Sequence, residues 1–444
     1  MYIPSGALTI LKTFRQAGFE AYVVGGCVRD SILGRIPGDW DICTSALPEE
    51  TKGLFEKTID TGLKHGTVTV LMDGERYEVT TFRQDGEYLD HRKPKEVTFV
   101  RSLTEDLRRR DFTVNAMAMD EFGGISDPFG GREDLKNGIL RAVGDGNLRF
   151  QEDALRILRG LRFAAQLGFS IEEQTVLAMK NNRLLLKSIS GERIWQELCK
   201  LIIAPHAVPV LRAYPDILGV VLPEILPTLG FSQHTPYHHL DVWEHTLSAV
   251  EAAPEDLVLR WTMLLHDLGK PETFSLDEKG RGHFYGHPEA SEKIARNIFR
   301  RLHTDNLTRD TVCLLVESHG DMLPESRKSA RKWVGKFGEE NLRRLLTVKR
   351  CDILGLHPDK REAALASLDA SVALFEQLLK EESCFTLKDL AVSGRDLMEQ
   401  GAKPGPGIGK ILNLLLEEVL EERLENKRDA LLLRAEALIG KELL

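Results

Sequence analysis

Residues 25–30 read Gly-Gly-Cys-Val-Arg-Asp, and residues 38–42 read Gly-Asp-Trp-Asp-Ile. The first stretch predicts a tight glycine turn, and the second predicts a strand with a carboxylate at alternate positions. Because residues i and i+2 of a strand share a face, we expect Asp39 and Asp41 to project together. Two adjacent carboxylates repel each other unless a cation lies between them. The pattern therefore predicts a cation site on a sheet, beside a glycine turn.

Mg²⁺ is the cation expected at Asp39 and Asp41, because it favours carboxylate oxygens together with substrate phosphates. Two such ions would activate an attacking oxygen and stabilise a leaving pyrophosphate. Gly26 lets backbone N–H groups approach a triphosphate, and Arg29 can pair with its charge. Each feature alone is more often a solvated strand edge or a simple turn. Their combination indicates a catalytic site.

Two stretches further along the chain extend this pattern. Residues 109–116 read Arg-Arg-Asp-Phe-Thr-Val-Asn-Ala, and residues 152–156 read Glu-Asp-Ala-Leu-Arg. Written as GGxVRD, GDxD, RRDFTxNA and EDxxR, the four motifs resemble the signature of the class II tRNA nucleotidyltransferase and bacterial poly(A) polymerase superfamily. The resemblance covers nearly the whole chain and is strongest over residues 22–165 and 237–290.

The resemblance implies a role for each of the later motifs. It assigns Arg110 to the ribose and phosphates of a bound nucleotide. Residues three apart on a helix share a face, so Asp153 and Arg156 can present an acceptor and donors to the Watson–Crick edge of a base. Arg159 and Arg162 continue this row, and the resemblance directs them to nucleotide phosphates and tRNA. The alternative is a solvated basic face.

A candidate third carboxylate and a loop lie between these motifs. Glu78 is expected on a neighbouring strand, although the resemblance rests on Asp39 and Asp41. Residues 85–94, Asp-Gly-Glu-Tyr-Leu-Asp-His-Arg-Lys-Pro, are polar and predict a mobile loop. This loop resembles the one that enzymes of the superfamily use when they switch from CTP to ATP. Its presence favours either full CCA addition or addition of the terminal A alone.

The second half of the chain, which is predicted to be helical, contains six residues of types that commonly bind metals: His245, His266, Asp267, His287, His319 and Asp352. Imidazoles and carboxylates suit divalent transition metals or Mg²⁺. A lone histidine on a helix is more often structural, but these six in this order resemble the HD phosphohydrolase superfamily. The resemblance implies one metal or a close pair (Ni²⁺, Mn²⁺ or Mg²⁺) that activates water for phosphoester hydrolysis. It further implies phosphatase or 2′,3′-cyclic phosphodiesterase activity on damaged tRNA ends. For the nearby His234, His238 and His239, a solvated surface is favoured over a role in holding phosphate.

Composition places the chain among ordinary globular proteins. Of its 444 residues, 42% are hydrophobic and 29% are charged, and the net charge is −9. That charge argues against nonspecific coating of nucleic acid, although local basic patches decide whether RNA binds. The six cysteines are scattered, which indicates reduced thiols and a cytoplasmic protein. Neither a signal peptide nor a membrane span is expected.

The pattern along the chain predicts an α+β fold in four parts. Strands are predicted at residues 21–26, 39–43, 67–72, 76–82 and 116–120, and an amphipathic helix is predicted from Gln151 with Leu155, Leu158 and Leu161 on one face. Glycines and prolines at Lys403–Gly409 predict a turn before a helix that starts at Lys410. The predicted parts are a nucleotidyltransferase head (1–145), a helical neck and body that binds nucleotide and tRNA (146–228), an HD domain (229–358) and a helical tRNA-binding tail (359–444).

The function implied by the resemblance is addition of C, C and A to the 3′ end of tRNA from CTP and ATP, without a nucleic-acid template. An enzyme that adds only the final A and a poly(A) polymerase are the alternatives within the same class. The HD half argues against the polymerase. A nucleotide-sensing or RNA-binding protein without catalysis is the alternative from another class, and the intact Asp39, Asp41 and Arg110 argue against it. The oligomeric state is left open.

Overall fold

A seven-stranded sheet organises the first part of the chain. Its strands are rich in β-branched residues, as in Thr67–Met72, and such side chains pack well on a pleated surface. The strands up to residue 171 are β1 (Ala21–Val24), β2 (Ile42–Thr44), β3 (Thr58–Gly62), β4 (Thr67–Met72), β5 (Glu75–Thr81), β6 (Arg83–Asp85), β7 (Tyr88–Leu89), β8 (Lys93–Pro94), β9 (Val97–Phe99), β10 (Ala118–Met119), β11 (Ile125–Ser126), β12 (Ile139–Leu140) and β13 (Ser170–Ile171).

The order of strands in this sheet is β11-β10-β1-β2-β5-β4-β3. The pair β2–β5 is parallel, and the other neighbours are antiparallel. Every predicted strand has a counterpart here, but the strand predicted at 39–43 begins only at Ile42. Asp39 and Asp41 therefore precede the strand, and the argument from a shared strand face was wrong for them.

The computed structural model describes residues 2–86, 88–89, 93–94, 97–381 and 384–439. Residues 87 and 90–92 of the predicted mobile loop lie outside this set. The described part of the loop forms strands, because β7 pairs with β8 and β6 pairs with β9. Across the described residues, no helix combines the length and the apolar character needed to cross a membrane.

The chain divides into two units, which consist of residues 1–226 with 298–304, and of residues 227–297 with 305–444. The division into four parts predicted from the sequence is finer than this and stays a prediction. An α+β head followed by helical structure confirms the predicted fold class. The helices up to residue 221 are α1 (Ser5–Gln16), α2 (Gly26–Ile32), α3 (Pro48–Leu54), α4 (Leu103–Arg108), α5 (Gly131–Asn137), α6 (Gly146–Glu152), α7 (Leu155–Leu167), α8 (Glu173–Asn182), α9 (Gly191–Ile202), α10 (Ala207–Ala213) and α11 (Pro215–Val221).

The amphipathic helix predicted from Gln151 is interrupted near its start. Leu155, Leu158 and Leu161 are buried on α7, as the apolar period predicts. Asp153, however, lies between α6 and α7, and its carboxylate accepts a hydrogen bond from the backbone N–H of Leu155 at 3.1 Å. Short acidic side chains compete in this way with the helical bond of the backbone. Asp153 and Arg156 therefore do not share one continuous helix.

Over the residues that the structure describes, the second unit is helical apart from one short hairpin, β14 (Ser275–Leu276) and β15 (Gly282–His283). The tail packs around a small apolar core that includes Leu397, Ile411 and Leu431. The helix that the sequence predicts to start at Lys410 begins four residues earlier, at Pro406. The helices are α12 (Val242–Ala252), α13 (Leu257–Leu265), α14 (Lys270–Thr273), α15 (His287–Arg301), α16 (Asn306–Ser318), α17 (Arg327–Leu354), α18 (Pro358–Glu381), α19 (Gly394–Glu399), α20 (Pro406–Leu420) and α21 (Arg428–Ile439).

Candidate functional site

The head motifs meet at a cavity of about 490 Å³ in the first unit. We call it the arginine cavity, because seven arginines line it: Arg29, Arg109, Arg110, Arg156, Arg159, Arg162 and Arg193. Every residue predicted to bind the nucleotide or its cation lies in this lining, except the candidate third carboxylate. Those predicted residues are Gly26, Arg29, Asp39, Asp41, Arg110, Asp153, Arg156, Arg159 and Arg162.

A glycine turn sets the cavity wall at the end of β1. Gly25 has φ 85°, a backbone conformation that residues other than glycine rarely adopt. A Cβ atom there would lie 2.9 Å from a guanidinium nitrogen of Arg110. The turn is held on the sheet because the backbone N–H of Gly25 donates to the carbonyl of Met117 at 3.1 Å. The first glycine therefore makes room for an arginine in the cavity.

Asp39 and Asp41 stand at the entrance to β2. The carbonyl of Asp41 accepts a hydrogen bond from Val24 N–H at 2.9 Å, which fixes this segment beside β1. Burial, and then the charge of Asp39, raises the pKa of the Asp41 carboxyl to about 6 against the opposing charge of Arg110. Glu78 adds to the same rise. A group whose charge is this poorly tolerated fits a site that a divalent cation completes.

Glu78 lies outside the arginine cavity. It lines a second cavity of about 440 Å³ that Asp39 and Asp41 also line. The two cavities therefore meet at the carboxylate pair. Glu78 is on β5, opposite Thr69 of β4, which agrees with its prediction on a neighbouring strand. Its proposed part as a third carboxylate stays a prediction.

The arginines that follow Arg156 along α7 are held by carboxylates. Arg159 Nε donates to Asp111 at 2.8 Å, and Arg162 Nε lies 2.7 Å from Glu197. Burial favours the neutral form of Asp111, but Arg159 outweighs it and lowers the pKa of Asp111 to about 2. Arg162 is 8% exposed, so the alternative of a solvated basic face is wrong for this residue. Fixed guanidinium groups of this kind are suited to bind phosphates.

Asp153 and Arg156 both reach the arginine cavity, although each already has a protein partner. Asp153 forms an ion pair with Arg193 at 3.0 Å. Arg156 donates to Glu152 at 2.7 Å and to the carbonyl of Arg109 at 2.9 Å. These contacts fix the direction of the carboxylate and the guanidinium. Sequence reasoning missed Arg193, which comes from α9 and belongs to none of the four motifs.

In the second unit the six predicted metal ligands converge. They come from five helices or helix ends: His245 from α12, His266 and Asp267 after α13, His287 from α15, His319 after α16 and Asp352 from α17. His245, His266 and Asp267 form one close group, and Asp267, His287 and His319 form another. Asp352 lies 2.9 Å from Nε2 of His245 and 3.7 Å from Nε2 of His266.

Hydrogen bonds at Nδ1 fix the orientation of the four imidazoles. Each directs Nδ1 to a backbone carbonyl, of Gly355 for His245, Met263 for His266, Phe284 for His287 and Val316 for His319, at distances of 2.6–3.2 Å. A neutral imidazole that donates from Nδ1 keeps a lone pair on Nε2. The Nε2 atoms face one another at 3.4 Å between His245 and His266 and at 3.2 Å between His287 and His319. Facing lone pairs favour a cation between them, and backbone partners of this kind orient metal-bound histidines.

Asp267 joins the two groups. Its Oδ2 lies 3.2 Å from Nε2 of His266, and its Oδ1 lies 3.5 Å from Nε2 of His287. Burial lowers the pKa of His266, but Asp267 and Asp352 outweigh burial and raise that pKa to about 10. The negative charges of Asp267 and Asp352 therefore favour a positive charge beside His266. The donor set fits one divalent ion or a pair that shares Asp267.

Two residues near these ligands were not predicted to belong to the site. Lys270 places Nζ 2.6 Å from Asp267 Oδ2 and donates to Gln233 at 2.8 Å. His238, interpreted from the sequence as a surface residue, packs its ring 4.9 Å from that of His245, and burial lowers the pKa of His238 to about 3. Lys270 follows the His-Asp pair by three positions, so helical spacing could have indicated it.

A cavity of about 560 Å³ adjoins the second site. His319 and Asp352 line it together with Lys349, Ser371 and several apolar side chains. Lys349 is buried, and its ammonium group donates to the carbonyls of His319 and Asp321 at 2.8 and 2.5 Å. Burial lowers the pKa of Lys349 to about 8. His319 and Asp352 therefore face a space large enough for a small organic phosphate.

Comparison with known proteins agrees with the geometry of the head. A family model of the poly A polymerase head domain matches residues 21–141. The CCA-adding enzyme of Lactobacillus helveticus is 40% identical over 436 residues, which cover 96% of this chain and 95% of the relative. That of Levilactobacillus brevis is 39% identical over 430 residues, which cover 96% of each chain. The chain belongs to the CCA-adding enzyme family.

Further matches extend over the rest of the family fold. Residues 168–227 match a model described as "Probable RNA and SrmB-binding site of polymerase A", and residues 287–435 match tRNA nucleotidyltransferase domain 2. The crystal structure of the Bacillus stearothermophilus CCA-adding enzyme in complex with CTP is 34% identical, covers 99% of both chains and has a TM-score of 0.71. The Thermotoga maritima enzyme complexed with tRNA shares the fold at 22% identity and a TM-score of 0.58. The protein is thus a nucleotidyltransferase of this family.

Proposed function

We propose that this protein adds C, C and A to the 3′ end of tRNA, taking CTP and ATP as substrates without a nucleic-acid template. The observation that carries the proposal is the arginine cavity, which joins the Asp39–Asp41 pair to every predicted nucleotide ligand. The relatives that match the whole chain are CCA-adding enzymes, and one structural neighbour was solved with CTP. The proposal rests on the arginine cavity together with the sequence similarity to CCA-adding enzymes.

Chemistry is assigned to the two carboxylates at the cavity edge. Asp39 and Asp41 would hold Mg²⁺, since their mutual repulsion and the raised pKa of Asp41 call for a cation. Two bound ions would activate the 3′-hydroxyl and neutralise the leaving pyrophosphate. Gly26 keeps the wall open for the triphosphate, and Arg29 and Arg110 bind its oxygens.

Base selection is assigned to Asp153 and Arg156. A carboxylate accepts from an amino group of the base, and a guanidinium donates to ring nitrogens and carbonyl oxygens. Arg193 and Glu152 hold these two side chains in place before the base arrives, so little order is lost on binding. Arg159 and Arg162 then lie further along α7, where they would bind nucleotide phosphates and tRNA.

The experiment that tests this function supplies three forms of one tRNA, which end at the discriminator base, at CC or at CCA. Each is incubated with CTP alone, ATP alone and both. Full CCA addition predicts two cytidines on the first form and one adenosine on the second, with no extension of the third. Extension of the second form alone would indicate an A-adding enzyme, and long adenosine tails would indicate a poly(A) polymerase. Binding without extension would leave a nucleotide-sensing protein.

A second function, phosphoester hydrolysis, is proposed for the HD-type site. The observation that favours it is the set of four Nε2 atoms turned towards each other around Asp267. Those residues and Asp352 would hold Ni²⁺, Mn²⁺ or Mg²⁺, and an ion bound there would activate water and polarise a phosphoryl oxygen. Substrates would be phosphomonoesters or 2′,3′-cyclic phosphates at damaged tRNA ends.

Two substrates test this second function. The first is bis-p-nitrophenyl phosphate as a generic diester, and the second is a tRNA that ends in a 2′,3′-cyclic phosphate, each with Ni²⁺, Mn²⁺ or Mg²⁺. Hydrolysis of either with one of these ions supports the proposal. Absence of hydrolysis, together with a protein that retains no metal on elemental analysis, would leave the HD residues with a structural role.

The remaining assignments follow from these two activities. The helical tail (359–444) and the neck and body (146–228) are proposed to bind tRNA, with residues 1–145 as the catalytic head and 229–358 as the HD domain. The cytoplasm, where tRNA is matured, is the proposed location. Limited proteolysis followed by tRNA binding of the fragments would test the division.

A further inference from the structure

A cavity of about 560 Å³ in the second unit lies beside the candidate metal ligands. Its walls come from the segment 319–325 between α16 and α17, from one face of α17 and from one face of α18. We call it the α17–α18 cavity. All of its walls belong to one unit of the chain, within residues 305–444. A cavity of this volume is in the range of those that hold small organic ligands.

A short side chain on α18 explains why this space stays open. Leu368, Phe375 and Leu378 are buried on one face of the helix, at the spacing that a packed helix shows. Ser371 belongs to the same row and is buried as well, but its side chain is much smaller. Ala370 lies next to it in the cavity wall. The packing of α17 against α18 therefore leaves a space that a ligand can fill.

The α17–α18 cavity gives access to the candidate metal ligands, because His319 and Asp352 line it. The side chain of Asp352 is 30% exposed, whereas the side chains of His245 and His266 beside it are fully buried. Lys349 precedes Asp352 by three positions on α17, so both lie on the helix face that borders the cavity. A phosphate ester whose phosphate reached the candidate ligands from this side would place its organic group in the cavity.

Lys349 carries an unused hydrogen-bond donor in the cavity wall. It is 8% exposed, and its ammonium group donates to the carbonyls of His319 and Asp321 at 2.8 and 2.5 Å. An ammonium group has three hydrogens. Among the described residues the third has no hydrogen-bond acceptor, although the ring centroid of Trp333 lies 5.8 Å from Nζ. Because a buried donor without an acceptor is unfavourable, a ligand atom that accepts from Nζ would stabilise this arrangement.

The lining restricts the chemistry of the ligand. Met322 and Leu374 offer apolar surface, and the Ser371 hydroxyl, which donates to a carbonyl one turn earlier at 3.2 Å, can still accept a hydrogen bond. Asp321 and Glu325 place carboxylates in the wall, which disfavours a further phosphate inside the cavity. The group that enters is therefore uncharged, with apolar faces and a polar edge. A nucleobase with its ribose has these properties.

Resting on the phosphoester hydrolysis proposed above, we propose that the α17–α18 cavity binds the nucleoside of a nucleotide whose 2′ or 3′ phosphate lies at the candidate metal ligands. The base packs against Met322 and Leu374, and the third hydrogen of Lys349 binds an oxygen or a ring nitrogen of the nucleoside. Ser371 keeps the cavity deep enough for the base. Lys349 and Ser371 bind the substrate and take no part in bond breaking. A free nucleotide and the last nucleotide of an RNA chain share this chemistry.

Steady-state hydrolysis of adenosine 2′,3′-cyclic phosphate, and of a tRNA that ends in a 2′,3′-cyclic phosphate, tests this assignment. Ser371→Leu should raise the KM for the preferred substrate about 10-fold, because the larger side chain fills the cavity. Lys349→Met should raise it about 10-fold through loss of a charged hydrogen bond. Inhibition by inorganic phosphate should not change in Ser371→Leu, since phosphate alone leaves the cavity empty. Ala373→Leu, at an exposed position of the same helix outside the cavity, should match the wild type.

The ratio of kcat/KM for the two substrates identifies the source of the nucleoside. A higher kcat/KM for the tRNA indicates the end of an RNA chain, and a higher value for adenosine 2′,3′-cyclic phosphate indicates a free nucleotide. In either case the KM for the preferred substrate should rise in Ser371→Leu.

A binding measurement separates the cavity from the activity on which the proposal rests. Isothermal titration calorimetry with adenosine 3′-monophosphate should show a Kd about 10-fold weaker in Ser371→Leu, with an unchanged metal content on elemental analysis. The titrations use the Arg156→Ala background, since the arginine cavity also offers a nucleotide site. If the wild type hydrolyses neither substrate but the Kd still depends on Ser371, the hydrolytic function fails and the nucleoside site is supported. Normal hydrolysis with an unchanged KM and Kd in Ser371→Leu would overturn the nucleoside site and leave the hydrolytic function intact.

Discussion

The charge of Asp41 is poorly accommodated by the protein alone. Burial, Asp39 and Glu78 all oppose its ionisation, and Arg110 compensates only in part, so the pKa rises to about 6. A cation held between Asp39 and Asp41 would remove that opposition. The two carboxylates would then bind the ion, and their repulsion would be the reason that an ion is needed.

Asp39→Ala or Asp41→Ala should therefore abolish addition of both C and A while tRNA binding persists. A loss of about 10³-fold or more in kcat is expected, since charge stabilisation at the reacting phosphate disappears. Single-turnover extension assays and a filter-binding assay measure the two properties. Asp60→Ala, which removes an exposed carboxylate of β3 that pairs with Lys52, serves as the matched control. Near-normal turnover of either site variant with Mg²⁺ would refute this assignment.

Asp153 and Arg156 provide a test of base reading that is separate from chemistry. Asp153→Ala or Arg156→Ala should reduce the selectivity among nucleotides more than it slows the transfer of a nucleotide that the variant still accepts. Loss of one directional base contact should reduce discrimination by about 1–3 kcal/mol. Incorporation of UTP and GTP relative to CTP and ATP gives the measurement, and Lys180→Ala on α8 is a control outside the arginine cavity. Unchanged selectivity in both variants would refute the assignment of base selection to Asp153 and Arg156.

At the scale of single elements, local pattern predicted the strands and the apolar row of α7 but missed where elements begin. Alternation placed Asp39 and Asp41 inside a strand, whereas β2 starts at Ile42. The apolar periodicity predicted one continuous helix through Asp153. In the structure the Asp153 carboxylate accepts a hydrogen bond from Leu155 N–H, and α6 and α7 are separate helices. At Asp153 an acidic side chain that binds the backbone interrupts the regular structure. Periodicity alone does not carry that information.

Contacts that join distant elements were the other part that sequence did not predict. Arg193 reaches the arginine cavity from α9 and pairs with Asp153, 40 positions away. No motif contains it, and a lone arginine in an amphipathic helix is typical of a solvated face. In the head, the residues that sequence did identify are those that form motifs with their own neighbours. Partners supplied by tertiary packing become visible only in the fold.

The helices that carry the candidate metal ligands allow a prediction about thermal stability. An ion bound by residues from α12, α15, α16 and α17 ties these helices together, and binding to the folded state alone stabilises it. Removal of metal with a chelator should lower the Tm of the second unit by several degrees, since a ligand at about 100 times its Kd contributes about 2.7 kcal/mol.

Differential scanning calorimetry of the full chain measures this effect, with Mn²⁺ or Ni²⁺ restored after chelation. His266→Ala should abolish the metal-dependent part of the shift, whereas His303→Ala, which lies outside the ligand set, should retain it. A Tm that is indifferent to chelation in the wild type, with no metal on elemental analysis, would contradict the prediction.

At the scale of the whole molecule, each unit contains its own candidate reaction centre. The arginine cavity lies within residues 1–226, and the candidate metal ligands lie within 227–297 and 305–444. The order of ligand types along the sequence predicted this separation, because His245 and Asp352 are 107 positions apart and both follow the head motifs. Sequence did not predict that Asp267 would be shared by two groups of ligands, since that depends on helix packing.

The separation predicts that the two activities can be removed independently. His266→Ala combined with Asp267→Ala should eliminate metal-dependent phosphoester hydrolysis, because it removes ligands of both candidate ion positions. CTP and ATP addition to intact tRNA should survive in this variant. The reciprocal variant, Asp39→Ala, should keep hydrolysis of bis-p-nitrophenyl phosphate and of a tRNA 2′,3′-cyclic phosphate while it loses nucleotide addition. Both assays are run on each full-length variant, and circular dichroism verifies that each is folded. If the folded double variant instead loses nucleotide addition, the two units depend on one site, and the assignment of one centre to each unit fails.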